Sequence, residues 1–213
     1  MKKISFLLLL IMAAVGTQAQ DAAKILNELS AKAKKYQSIE AEYTSRMIDK
    51  INGVDISTQG SIKIKGEKYH LDLGDYTLIS DGATLWTYQK ESNECMIDDL
   101  ADMEDEAFNP SDMFTLWEQD FKNEYKGEVN VDGVDCFLIH LYPTDTEERD
   151  FHTIKMYIDK NKMELFKMEV KGREGSDMVY KVKSFKTNTS LSDTVFKFNK
   201  ALYPGVEMID NRF

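Results

Sequence analysis

The chain has 213 residues, 30% of them charged, with 37 acidic against 27 basic side chains and a net charge of −10. That balance excludes nucleic acid and anionic lipid surfaces as electrostatically favoured partners. The length suits one domain with a sizeable core, and beyond the N-terminus no apolar run approaches the roughly 20 residues of a membrane-spanning helix.

Lys2 and Lys3 precede an uncharged apolar run from Ile4 to Val15, followed by the small-residue exit Gly16-Thr17-Gln18-Ala19. This pattern predicts a secretory signal peptide over residues 1–20, with no cysteine nearby to carry a lipid anchor. The mature chain, residues 21–213, is expected to be a single soluble monomeric domain outside the cytoplasm, with no stable membrane insertion. Loss of the two lysines takes its charge to −12.

Asp21 is placed to cap a helix in which Ala22, Ile25, Leu26, Leu29, Ala33 and Tyr36 recur at helical spacing. From Ser38 the period becomes two: Ile39, Ala41, Tyr43, Ser45 and Met47 alternate with Glu40, Glu42, Thr44 and Arg46. Asn52-Gly53 predicts a tight hairpin. Val54, Ile56 and Thr58 then lead through Gly60 into residues 61–88, SIKIKGEKYHLDLGDYTLISDGATLWTY. Ile62 and Ile64, then Tyr69, Leu71 and Leu73, then Trp86 and Tyr88 alternate with polar or smaller residues. Gly66, Gly74 and Ser80-Asp81-Gly82 divide them into successive antiparallel strands.

Cys95-Met96-Ile97 predicts another short strand. The acidic run Asp98–Glu106 lacks the turn glycine of a calcium loop and is read as solvated. Asn109-Pro110-Ser111-Asp112 opens a second predicted helix, MFTLWEQDF, whose Met113, Phe114, Leu116, Trp117 and Phe121 either fill a deep core or line a lid. Strands are then predicted at Tyr125–Val131 and Val134–Tyr142 around Asp132-Gly133, at Thr153–Ile158, Leu165–Val170 and Met178–Phe185, and near Phe196 and Phe198. About eleven strands, two helices and no strand–helix alternation give a mainly β fold with helices (α+β). It is one large, curled antiparallel sheet with helices on one side.

Catalytic patterns do not emerge. His70, His140 and His152 are far apart and show no metal-ligand spacing, and no nucleophile elbow, phosphate loop or dinucleotide fingerprint occurs. No cofactor or metal is expected, and no enzyme. Cys95 and Cys136 either pair in an oxidising compartment or remain buried free thiols, and both readings stay open. What remains is an apolar sheet face carrying Tyr43, Met47, Tyr69, Leu71, Leu73, Trp86 and Tyr88. Two short helices would cover it incompletely, which suggests a hollow that accepts acyl chains; the 11 methionines suit ligands of varied shape.

Several segments resemble the LolA-like family of periplasmic outer-membrane lipoprotein carriers. They are the first helix ending at Tyr36-Gln37-Ser38-Ile39-Glu40-Ala41, Gly60–Lys65, Leu78-Ile79-Ser80-Asp81-Gly82-Ala83-Thr84-Leu85-Trp86-Thr87-Tyr88, and the closing Phe196-Lys197-Phe198 with Pro204–Asp210. The resemblance implies an incomplete antiparallel β-barrel with helices as a lid over a hydrophobic cavity. It also implies a periplasmic shuttle that takes lipoproteins by their acyl chains from an inner-membrane releasing transporter to an outer-membrane acceptor. Tyr69, Leu71 and Leu73 match the family's cavity strand, Trp86 and Tyr88 its aromatic positions after the turn, and Met113, Phe114 and Trp117 its lid region. The family's latch arginine is replaced by Lys65-Gly66-Glu67-Lys68, so Lys65 or Lys68 would have to serve as lid latch without the planar fork of arginine. The alternatives on the same fold are a carrier of another lipid or glycolipid and an envelope lipoprotein sensor or interaction domain.

Overall fold

A computed structural model of the chain describes residues 21–103, 115–118, 120–145 and 149–212. The expected signal peptide, most of the acidic run, and Met113 and Phe114 lie outside the described residues. Helix α1 covers residues 21–33, with Ala22, Leu26 and Leu29 buried. Asp21 is itself helical rather than a cap.

Twelve strands follow: β1 (Ile39–Asp49), β2 (Val54–Lys65), β3 (Lys68–Asp72), β4 (Tyr76–Ser80), β5 (Thr84–Gln89) and β6 (Glu94–Asp99), then β7 (Phe121–Val131), β8 (Val134–Pro143), β9 (Phe151–Asp159), β10 (Glu164–Gly172), β11 (Ser176–Thr187) and β12 (Glu207–Asp210). They form one sheet in the order β12-β6-β5-β4-β3-β2-β1-β11-β10-β9-β8-β7, which does not close on itself. The expected antiparallel meander is present, with one strand more than expected and one exception to its direction. The closing segment Glu207–Asp210 pairs with β6 in parallel. Of the second predicted helix, the described part is a single 3-10 turn at Leu116–Glu118.

The tight turns obey their local chemistry. Between β7 and β8, Asp132 (φ 52°) and Gly133 (φ 84°) both take positive φ, as a two-residue hairpin loop matching strand twist requires. Strand β7, at the end of the sheet order, carries a bulge between Tyr125 and Gly127 and alternating charges, features that blunt an open strand edge.

The described residues divide into two compact units. The first comprises Met47–Asp55 together with the described parts of Met1–Lys35 and Phe114–Lys181; the second comprises Tyr36–Arg46, Val182–Phe213 and Ile56–Met113, again as described. In the first unit α1 packs Ala22, Leu26 and Leu29 against Ile139 and Leu141 of β8 and Ile154, Met156 and Ile158 of β9. Trp117 completes this core at 6% exposure, its indole Nε1 donating to Ser30 Oγ at 2.9 Å.

On the strand face away from α1, alternate residues of β10 form an ion network. Glu169 lies 2.7 Å from Lys167 Nζ and 3.0 Å from Lys171 Nζ, and accepts from Tyr157 Oη at 3.1 Å. Asp177, 4% exposed, accepts from Lys50 and Lys171. Burial alone would raise the Glu169 pKa, but hydrogen bonds and charge from Lys167 and Lys171 outweigh it and hold the carboxyl at about 2, against an ordinary 4.5. Burial pushes the Tyr157 hydroxyl up to about 12, with the Glu169 charge adding to it.

A carboxyl depressed on folding stabilises the protein above its unfolded pKa and loses that contribution as pH falls through its folded pKa. Urea unfolding of the wild type is therefore expected to lose stability between about pH 4.5 and pH 2, with part of that slope due to Glu169. Glu169→Gln should flatten this segment of the acid limb. An unchanged slope in the variant would show that the network is not the source.

Candidate functional site

The second unit is organised by strand register. Directly opposed residues in an antiparallel pair share a face, and neighbours along a strand alternate. Tyr69 opposes Ser80 and Leu71 opposes Leu78 across β3 and β4. Trp86 opposes Ile79 and Tyr88 opposes Thr77 across β4 and β5. Since Leu78 and Ser80 alternate with Thr77 and Ile79, Tyr69 and Leu71 lie on one face and Trp86 and Tyr88 on the other. The single apolar face expected from the sequence is therefore two faces.

The Trp86–Tyr88 face is covered by the C-terminal segment. Tyr88, Cys95 and Val206 are buried together, with Trp86, Phe198, Tyr203 and Met208 packed against them. The Tyr88 and Tyr203 ring centroids are 4.4 Å apart, and Phe198 stacks on Tyr203 at 4.6 Å. Upstream, Val195 O lies 2.9 Å from His70 Nδ1 and Phe196 is fully buried. Burial lowers the His70 pKa below its ordinary value, opposed by the bond to Val195.

Lys65 and Lys68 oppose each other and belong to this belt. Lys65 Nζ donates to Leu191 O at 3.0 Å and pairs with Asp193 at 3.0 Å; Lys68 pairs with the second carboxylate oxygen at 3.1 Å. Hydrogen bonds from both lysines hold the Asp193 carboxyl below its usual range. These contacts fasten the C-terminal segment.

The opposite face is aliphatic. Ile64 and Ile62 oppose Tyr69 and Leu71, which in turn oppose Ser80 and Leu78. Ser80 opposes Leu85. Ile64, Tyr69, Leu71 and Leu85 are at most 7% exposed. Burial pushes the Tyr69 hydroxyl pKa up, while its bond to Ser80 pulls it down. Ser80 Oγ also accepts from Gly82 N at 3.1 Å, and Asp81 Oδ1 accepts from Ala83 N and Thr84 N. The Ser-Asp-Gly motif is thus a turn device that anchors the face.

Toward the end of the face at the β3–β4 turn, burial fails. Leu73 and Tyr76, joined by the Leu73 N to Tyr76 O bond, are each 44% exposed, and Ile56 is 54% exposed. Alternation along β2, β3 and β4 assigns all three to the aliphatic face. Sequence reading missed Ile56, Ile62, Ile64, Tyr76, Leu78 and Leu85 as site residues; the same alternation would have found them had the strand register been available.

Between the buried and exposed parts lies Gly60, in line with Ile62 and Ile64. The Tyr43 ring rests over it, with Tyr43 Oη 3.4 Å from Asp72 O. A Cβ at Gly60 would collide with that ring and lie 2.7 Å from Asp72 O. The same strands carry a cleft of about 430 Å³ lined by Tyr43 and Gly60 together with the polar residues Glu42, Thr44, Gln59, Ser61, Asp72 and Lys183.

The first unit holds the remaining expected site residues: Met47 is 38% exposed and Trp117 sits in the α1 core. Cys95 and Cys136 are free and fully buried. Burial pushes both thiols up to about 11, which keeps them protonated and unreactive. Among the described residues there is no His, Cys, Asp and Glu cluster able to hold a metal, and no helix long and apolar enough to cross a membrane.

The second unit thus contributes an aliphatic face to an open, mostly antiparallel sheet. The model of the family described as outer membrane lipoprotein carrier protein LolA matches residues 34–199, and the chain belongs to that family. An uncharacterized protein of Methanocaldococcus jannaschii is 25% identical over 196 residues; the match takes in 91% of this chain but 56% of that relative, so the chain spans little more than half its length. An uncharacterized conserved protein from Thermus thermophilus shares the fold at a TM-score of 0.58 and 10% identity, over 89% of this chain and 99% of that one. LprF from Mycobacterium bovis does so at 0.50 and 10%, over 82% and 96%.

Gly60→Ala tests the Tyr43 packing. Its φ is not in the left-handed region, so the glycine is required by close approach rather than by backbone conformation. The substitution is expected to destabilise by about 1–3 kcal/mol, as other overpacking changes do. Adding Tyr43→Ala should recover part of the loss in urea titrations. Full additivity of the two changes would contradict the contact.

Proposed function

We propose that the aliphatic face of the second unit holds the acyl chains of lipoproteins, and that the protein is a non-enzymatic periplasmic carrier. It would receive cargo from an inner-membrane releasing transporter and surrender it to an outer-membrane acceptor. The leader at residues 1–20 would direct export. The observation that carries this reading is the gradient along one face, from fully buried Leu71 to exposed Leu73, Tyr76 and Ile56. Exposed large apolar side chains continuous with a buried apolar surface mark a binding groove better than either does alone. Acyl chains need no charged contact there, since each buried methylene contributes about 0.8 kcal/mol.

A photoreactive residue at Leu73 in cells tests the reading directly. Crosslinks to mature lipoproteins are the expected product. Glycolipid or free-lipid adducts would move the assignment to another lipid cargo; a protein partner without lipid would move it to an interaction domain. In vitro, Leu73→Ser with Tyr76→Ser should leave thermal stability nearly unchanged, because both side chains are substantially exposed. The same pair should weaken binding of a dipalmitoylated peptide about ten-fold or more. Unchanged affinity would remove the exposed end from the site.

A further inference from the structure

We propose that the polar cleft of the second unit binds a short zwitterionic peptide, its ammonium end between Glu42 and Asp72 and its carboxylate end on Lys183. This site does not depend on the carrier reading above. Its volume of about 430 Å³ falls within the roughly 300–1,000 Å³ usual for small-molecule sites. Four neighbouring strands build it, in the order β3-β2-β1-β11. They contribute Asp72, then Gln59 and Ser61, then Glu42 and Thr44, then Lys183, all within the second unit.

The polar groups of this lining are unspent. Among the described residues, the side chains of Glu42, Thr44, Gln59, Ser61 and Lys183 form no hydrogen bond or ion pair. Asp72 uses one carboxylate oxygen, Oδ1, for both Gly74 N and Lys90 Nζ, each at 3.0 Å, and keeps Oδ2 available. Pairing between the same strands is within reach, since Glu40 of β1 and Lys186 of β11 lie 3.7 Å apart. Glu42 and Lys183, on those two strands, stay apart and both line the cleft.

Unpaired groups of both signs select the ligand. A simple anion meets two carboxylates, a simple cation meets an ammonium, and a neutral polyol leaves all three charges unmatched. A zwitterion sets each end against its opposite, and that complementarity also fixes its orientation. Spacing selects the length. An ammonium between Asp72 of β3 and Glu42 of β1 lies over β2, and β2 is two inter-strand spacings from β11. That is roughly 10 Å, the extended length of about three residues. The Thr44 and Ser61 hydroxyls and the Gln59 amide both donate and accept, as the peptide units between the two ends require.

Triglycine tests the class without any side-chain contribution. Titrated into isotopically labelled protein and followed by NMR, it should give saturable shifts centred on the cleft-lining amides. N-acetyl-triglycine, which lacks the ammonium, and triglycine amide, which lacks the carboxylate, should each bind about two- to five-fold more weakly, the range of one exposed ion pair. Glu42→Gln should weaken triglycine and leave N-acetyl-triglycine unchanged. Lys183→Met should weaken triglycine and leave triglycine amide unchanged. Both side chains are exposed, so the fold is preserved in either variant. Binding indifferent to both blocked ends would mark a neutral ligand and overturn the proposal. Absence of saturable shifts in the wild type would overturn it as well, and would leave the carrier reading untouched.

Discussion

The constraint on which the second unit depends is the two-residue period of β4. Thr77 and Ile79 look one way, Leu78 and Ser80 the other, and each is fixed by its partners in β3 and β5. Through this strand Tyr69 and Leu71 become the floor of one apolar surface, while Trp86 and Tyr88 become the bed for the C-terminal belt. A slip of one residue in β4 would exchange the two roles and break the match of each face with its cover. The Ser80-Asp81-Gly82 turn protects against that slip with three side-chain to backbone bonds and a hydroxyl shared with Tyr69.

Much of this architecture was legible in the sequence because it rests on local rules. The Asn52-Gly53 and Asp132-Gly133 turns, the alternation in β1 to β5 and the amphipathic α1 all follow from neighbouring residues. What was not legible is pairing at a distance. Both faces of β3 to β5 are rich in large apolar side chains, so composition could not say that Leu71 and Trp86 point oppositely; only the register of three strands decides it. The same limit applies to Lys65 and Lys68. Their partners at Leu191 and Asp193 lie more than 120 residues away, and no short-range pattern announces them. Trp117 was readable as large and apolar, but its choice of core over lid depends on Ser30 and α1.

The belt also recasts the family's closing segment. Phe196, Phe198, Tyr203 and Val206 serve as a cover for one side of the sheet, anchored at one end by two lysines on a shared carboxylate and at the other by a parallel strand. That cover leaves the aliphatic side to other duties. The other side carries the aliphatic residues, with the Tyr43 ring packed over Gly60 between its buried and exposed parts.

The strand order carries a consequence for how the chain is made. β1 neighbours β11 in the middle of the sheet, with the Ser38 carbonyl accepting from Asn188 N, though the two residues are 150 positions apart. Ribosomes work from the N-terminus, so β1 has no partner on that side until almost the whole chain has been synthesised. Pairing at such separation is slow compared with hairpin closure. A newly made chain of this topology remains incompletely folded for an interval after its local hairpins have formed, with one edge of β1 open until β11 arrives.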